Sequence, residues 1–301
     1  MLFPNPPTIP TRQELYRELR ATLKEYALQP RKSLGQHFLL DPNVLHQYAR
    51  ILSTRNLSAI LEIGGGLGTL TSLLNQTKDC EIIVAERDPR LALLLERRFP
   101  RVRTINTDVL RLPKDVFDRV DGVVGNIPFE ISSPLLFKLS REKFFRSGTI
   151  LAILVQQEFA ERMVALPGTK DYGRLSVNIR LAGTSSILAR FGPGSFYPAP
   201  KVASAMVEVV SNDAIDPRVH SQEFQEFLTQ LFTRRNRKTG SVLRSTLKHQ
   251  SGKDSSILEA LRSDPLGSER VKNLTPDGIL ALYELFRGES RNSDDFLASE
   301  P

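Results

Sequence analysis

The chain has no tryptophan, one cysteine (Cys80) and four histidines in 301 residues. A single thiol excludes an intramolecular disulfide framework and any cysteine-rich metal site, and it fits a reducing compartment. The histidines are scattered, so the expectation is that no metal is bound. No run approaches the roughly 18 consecutive apolar residues of a membrane span. Residues 1–10 are proline-rich and lack a basic-then-apolar signal pattern, and Glu14, Glu18 and Glu25 argue against a transit peptide. A cytoplasmic chain without a membrane segment is expected.

Acidic charge is also in short supply. Lys and Arg number 41 against 34 Asp and Glu, a formal charge of +7 that suits a polyanionic partner without identifying it. Residues 1–60 carry 8 positive and 4 negative charges, residues 61–215 carry 20 and 17, and residues 216–301 carry 13 and 13. Within that balanced last third, Arg234, Arg235, Arg237, Lys238, Arg244, Lys248 and Lys253 fall in the stretch 230–253 with no acid among them. This is a solvated basic face or a phosphate-binding patch, and the density of charge favours phosphate. No Phe, Tyr or Trp interrupts the run from Arg234 to Lys253, so it offers a polyanion charge and little to stack on.

Three hundred residues suggest two domains. Residues 11–28 carry Leu15, Leu19, Leu23 and Tyr26 at helical spacing, a lead-in helix within an N-terminal extension, 1–30. Short apolar runs at 59–63, 81–85, 103–105, 122–124 and 149–155 alternate with helical stretches, the pattern of a parallel α/β sheet. A hairpin-like pair, 175–188 and 203–210, is expected to close it. Residues 211–218, with Asn212, Asp213, Asp216 and Pro217, have linker chemistry. The boundary is therefore placed near 213, giving an α/β domain over 31–213, a helical domain over 214–290 and a polar, frayed tail over 291–301.

The run Leu61-Glu62-Ile63-Gly64-Gly65-Gly66-Leu67-Gly68 follows an apolar strand and precedes a helix pattern starting near Thr69. The dinucleotide fingerprint G-x-G-x-x-G fails because Thr69 stands where its last glycine belongs. G-x-G-x-G preceded by Glu62 is present instead. A pyrophosphate needs a row of helix N-terminal amides, whereas S-adenosylmethionine, which has no phosphate, is served by a shorter glycine turn. Glu86 ends the next strand, where a carboxylate can accept both ribose hydroxyls, and Asp108 ends the one after. A bare strand–helix turn, or a nucleotide site, fits the same loop.

Gly125-Asn126-Ile127-Pro128-Phe129 follows the apolar strand at 120–124, at the carboxyl edge where open α/β sheets bind ligands. An amine conjugated with its ring is a weak nucleophile, and a side-chain amide oxygen accepting its N–H aims the lone pair. Pro128 stiffens the loop, and Phe129 offers a flat face to a flipped base. An Asn-containing turn packed by a core phenylalanine accounts for these residues equally well.

Taken together, Lys32-Ser33-Leu34-Gly35-Gln36-His37-Phe38-Leu39, the glycine loop, Glu86, Asp108, the Asn-Ile-Pro-Phe motif, Gln157-Glu158 to Arg162, the segment from Lys170 to Ser176 and Phe196-Tyr197-Pro198-Ala199-Pro200-Lys201-Val202 resemble, in order, the small-subunit ribosomal RNA adenine dimethyltransferase family. The resemblance spans about residues 30–285. It implies a Rossmann-like class I methyltransferase domain with a seven-stranded, mostly parallel sheet and a smaller all-helical C-terminal domain. It implies transfer of methyl groups from S-adenosyl-L-methionine to two adjacent adenines in the loop of the terminal small-subunit rRNA helix, during maturation of that subunit and by a monomer. Gln36, His37, Leu39, Gly64, Gly66, Glu86, Asp108 and Asn126 match cofactor positions. Asn126, Pro128 and Phe129 match the target-base motif. The segment from Lys170 to Ser176 matches a loop near the target, and Arg234, Arg235, Arg237, Lys238 and Arg244 match the RNA-binding stretch.

Three departures stand out: Phe129 replaces the family's usual tyrosine, Gly-Gly-Gly replaces Gly-Pro-Gly, and the basic stretch carries what looks like a three-residue insertion. The competing readings are a weakly active or inactive ribosome-assembly factor of the same fold, and an adenine methyltransferase acting on large-subunit rRNA or DNA. Intact Glu86, Asp108 and Asn126 argue against the inactive factor.

Overall fold

The structure, a computed structural model, describes residues 2–3, 5–77, 79–247, 259 and 263–287. Lys248, Lys253 and the tail 291–301 lie outside the described residues. The chain divides into two compact units, residues 1–161 with 182–214, and residues 162–181 with 215–301.

The first unit is built on a seven-stranded sheet: β2 (Ala59–Ile63), β3 (Glu81–Glu86), β4 (Arg103–Asn106), β5 (Gly122–Asn126), β6 (Ile150–Gln156), β7 (Gly183–Phe191) and β9 (Ser204–Ser211). The two-residue strands β1 (Phe38–Leu39) and β8 (Phe196–Tyr197) pair with each other, antiparallel and apart from it. The order is β4-β3-β2-β5-β6-β9-β7, with β9 antiparallel to both neighbours. Central strands of such sheets are covered on both faces and read as unbroken apolar runs. Accordingly β2 is buried at every position, and so are the first six residues of β6.

Connecting helices start where the sequence supplies caps. Asp41 caps α2 (Pro42–Ser53) and Asp88 caps α4 (Pro89–Arg98), each through its carboxylate on a backbone N–H and each with proline first in the helix. The lead-in helix α1 (Arg12–Glu25) begins with a reciprocal Thr11/Glu14 capping box. Leu15 and Leu19 bury its apolar face in the core of the first unit.

Residues 175–182 do not form a strand. They belong to a helix, Arg174–Ala182, and the hairpin is confined to β7 and β9. Leu175, Val177, Ile179 and Leu181 alternate as a strand would, but the helix is buried on several sides, and this tertiary burial overrides the period-two signal. Residues 162–181 also belong to the second unit, so the chain passes between the units three times, whereas a single boundary near 213 is expected from the sequence. Tyr172 explains the recruitment: its buried ring lies in the core with Phe224, Phe227 and Leu282, and its hydroxyl donates to the Leu274 carbonyl at 2.8 Å. Further residues of that core come from the helices Gln222–Thr233, Thr239–Leu247 and Pro276–Arg287, and Val219, Val271 and Leu274 join it from outside them. Among the described residues, no helix is long and apolar enough to cross a membrane.

Candidate active site

The strand ends of the first unit meet at an open cleft of about 800 Å³, lined by the end of β3 and by four further stretches of chain. The first is the glycine turn between β2 and α3 (Thr69–Leu74), where Gly64, Gly66 and Gly68 take φ of 74°, 57° and 89°, backbone that glycine adopts without strain. One acid holds the turn and another holds the helix that follows it. From β3, Glu86 accepts the Gly66 N–H at 3.0 Å through Oε2 and the Asp88 N–H at 2.8 Å through Oε1. Burial raises its pKa, opposed by those two N–H donors. From β2, Glu62 is buried and accepts the Thr71 hydroxyl at 2.7 Å. Burial pushes its carboxyl up to about 8, the Thr71 bond works against this, and the nearby charge of Glu86 adds to it.

The second stretch precedes β1. Gln36 lines the cleft, yet its amide is spent on the protein: Nε2 donates to Asp88 at 3.1 Å and Oε1 accepts the Arg31 N–H at 2.8 Å. Burial raises the Asp88 carboxyl, but hydrogen bonds from Arg90 and Gln36 outweigh it and bring the pKa to about 2. Gln36 thus ties this stretch to the β3–α4 corner. His37 is anchored by Nδ1 at 2.6 Å from the Pro198 carbonyl. A carbonyl only accepts, so Nδ1 carries the proton of that bond.

The third stretch is the end of β5. Asn126 donates from Nδ2 to the His37 carbonyl at 2.7 Å. Because that partner is an acceptor, the amide has one orientation, and Oδ1 is the atom left for a ligand. Gly125 sits so close to β2 that a Cβ would lie 2.5 Å from the Ile63 carbonyl oxygen, and the buried Tyr48 hydroxyl donates to its own carbonyl at 2.9 Å. Phe129 stacks on the His37 ring at 6.1 Å and 27°. The fourth stretch carries Asp108, whose Oδ1 accepts the Leu110 N–H at 2.9 Å while Oδ2 lies 3.6 Å from Arg87 Nη1.

Gln36, His37, Gly64, Gly66, Glu86, Asp108, Asn126 and Pro128 all line the main cleft. Leu39 and Phe129 do not; they line smaller pockets of about 330 and 240 Å³ that share His37 and Asn126 with it. The basic residues belong to the second unit. Arg234, Arg237 and Lys238 are exposed, while Arg235 and Arg244 are partly buried. Arg235 donates from Nη2 to the carbonyls of Thr169 and Lys170, at 3.2 and 2.7 Å, so part of its guanidinium is used within the protein. Sequence reasoning missed Tyr48 and Asp88. Asp88 carried a signal in Asp-Pro at a helix start; Tyr48, one aromatic on an apolar helix face, carried none.

A sequence profile of the ribosomal RNA adenine dimethylase family matches residues 27–286. The chain belongs to that family. It is 34% identical over 275 residues to a probable ribosomal RNA small subunit methyltransferase A of Thermococcus gammatolerans, covering 89% of this chain and 94% of the relative. The corresponding protein of Methanothermobacter thermautotrophicus is 34% identical over 274 residues, covering 90% and 96%. Among solved structures, a dimethyladenosine transferase from Plasmodium falciparum superposes with a TM-score of 0.70 at 24% identity, over 84% of this chain and 98% of that one. The 23S rRNA methyltransferase ErmE gives 0.57 at 23% identity, over 83% and 99%. Both share the fold of this dimethylase-family chain.

Proposed function

We propose that the protein is an S-adenosylmethionine-dependent adenine-N6 dimethyltransferase that modifies two adjacent adenines in the terminal helix loop of small-subunit rRNA. It acts as a cytoplasmic monomer on the immature subunit. The names of its relatives support the substrate, and the observation that carries the chemistry is the fixed amide of Asn126, which leaves Oδ1 free at the cleft.

The cleft suits the cofactor. Glu86 uses one lone pair of each oxygen on backbone N–H groups, which leaves capacity for ribose hydroxyls, and the glycine turn puts no Cβ in the way. Asp108 keeps acceptor capacity for an adenine amine. When bound, S-adenosylmethionine supplies an electrophilic methyl on a cationic sulfur.

Asn126 Oδ1 accepts an N–H of the target amine and turns its lone pair toward that methyl. Phe129, braced by the His37 ring, offers a face to the extruded base. The amine loses its proton after alkylation, so positioning does most of the work and no strong base is needed beforehand. In the second unit, Arg234, Arg237, Lys238 and Arg244 meet RNA phosphates, while Arg235 shapes the 169–170 loop and offers phosphate its remaining N–H donors.

The test is incubation with labelled S-adenosylmethionine and, separately, immature small subunits, naked rRNA, large-subunit RNA and DNA. Dimethyladenosine from small subunits alone is expected. Label only in large-subunit RNA or DNA, or none with any substrate, overturns the assignment.

A further inference from the structure

The family profile begins at residue 27, yet the segment before it is packed into the first unit. Leu2 and Phe3 are buried, and Leu15 and Leu19 share one core with Leu70, Leu73 and Leu74 of α3 and with Leu95 and Phe99 beside it. Polar contacts from this segment reach Gln76, just past α3, the helix that grows out of the glycine turn, and Arg98 at the end of α4.

At the far end of α3, Thr8 and Gln76 exchange two hydrogen bonds, from the Thr8 N–H to Oε1 at 2.8 Å and from Nε2 to the Thr8 carbonyl at 3.2 Å. At the near end, Arg98 bridges two partners: its Nη2 pairs with Glu18 of α1, and its Nη1 donates to the carbonyl of Leu67, inside the glycine turn, at 3.1 Å. The Phe99 ring lies against Gly68, the last residue of the turn, with the Arg98 guanidinium 5.7 Å from the ring centroid. A third contact goes to the segment before β8. Arg12 donates to the Gly194 carbonyl at 2.7 Å, and the next residue, Ser195, accepts the Leu40 N–H at 2.9 Å and donates its hydroxyl to Asp41 at 2.8 Å. That segment leads into β8, the partner of β1 beside His37.

We infer that Leu2, Phe3 and residues 5–26 form a strap that pre-organises the cofactor cleft, with Arg98 as the positioning residue that passes its hold from α1 to the glycine turn. An exposed ion pair such as Glu18–Arg98 contributes little stability by itself. The buried leucines hold the strap down, and the charge-assisted bond to the Leu67 carbonyl fixes the turn's shape before ligand arrives, lowering the cost of binding. The inference rests on the cofactor assignment above.

Removing the whole strap would take Leu2, Phe3, Leu15 and Leu19 out of the core of the first unit, so point variants of the full chain are the sharper test. Titration calorimetry with S-adenosylmethionine is run on the unaltered protein, Arg98→Ala, Gln76→Ala, the double variant and Arg98→Lys, with the melting temperature of each ligand-free protein. A Kd raised about tenfold in Arg98→Ala, further in the double variant and largely restored in Arg98→Lys is expected. The corresponding rise in KM should come with kcat at saturating cofactor within about twofold of the unaltered protein. Lower melting temperatures with Kd unchanged in all variants would make the strap merely structural and overturn the inference. Failure of the unaltered protein to bind S-adenosylmethionine would instead overturn the cofactor assignment, and the inference with it.

Discussion

The side-chain amide of Asn126 is locked by the backbone carbonyl of His37, 2.7 Å from Nδ2, so the end of β5 and the stretch before β1 set one acceptor atom between them. Asn126→Asp replaces the donor with a second acceptor and should turn the group away from His37. We expect both Asn126→Ala and Asn126→Asp to lower single-turnover methyl transfer by about a hundredfold or more, the scale of losing an aligned transition-state partner. Calorimetry on the same variants should show that cofactor binding survives. Full turnover in either variant would remove Asn126 from its role.

Gly125 is fixed by packing. A methyl group there meets the Ile63 carbonyl oxygen at 2.5 Å, and neither strand can yield without breaking the β2–β5 ladder. Gly125→Ala should therefore cost about 2–3 kcal/mol in urea unfolding. A cost below experimental error would contradict the geometry.

Glu62 makes stability depend on pH. Its folded pKa, about 8, lies above the ordinary 4.5, so the native state holds a proton that the unfolded chain releases between those values. The contribution is complete below about pH 4.5 and is lost as pH rises through 8. Glu62→Gln, which stays neutral, should gain on the unaltered protein as pH increases. Urea melts at pH 5.5 and 8.5 check this, and an advantage that does not grow with pH contradicts it.

The exposed Arg234, Arg237 and Lys238 should be felt through salt. Charge reversal at all three is expected to weaken RNA binding and to flatten the slope of log affinity against log salt by about one for each phosphate no longer neutralised. Calorimetry with S-adenosylmethionine on the same variant should give the unaltered affinity. An unchanged slope would move the RNA-binding surface elsewhere.

Much of the fold was legible because its signals are local. Apolar runs set β2 to β6, and glycine placement set the turn that Glu86 braces. The helix at 174–182 was not, because alternating apolar residues describe burial and not backbone; only the core around Tyr172 decides which conformation buries them. Gln36 was legible as a residue of the site but not in its role, since its partners Arg31 and Asp88 lie 5 and 52 residues away and the second of these pairings exists only in three dimensions. The strap escaped for the same reason: the amphipathic helix of residues 12–25 was visible, but not that Arg98 would join it to the Leu67 carbonyl.

The most direct test of methylation at the Asn126 cleft is mass analysis of adenosines from small-subunit rRNA incubated with the protein and S-adenosylmethionine carrying a deuterated methyl. The account predicts two adjacent adenosines, each with two labelled methyls, and none with Asn126→Ala. Unmodified adenosines with the unaltered, cofactor-binding protein, or the same doubly methylated pair with Asn126→Ala, would contradict it.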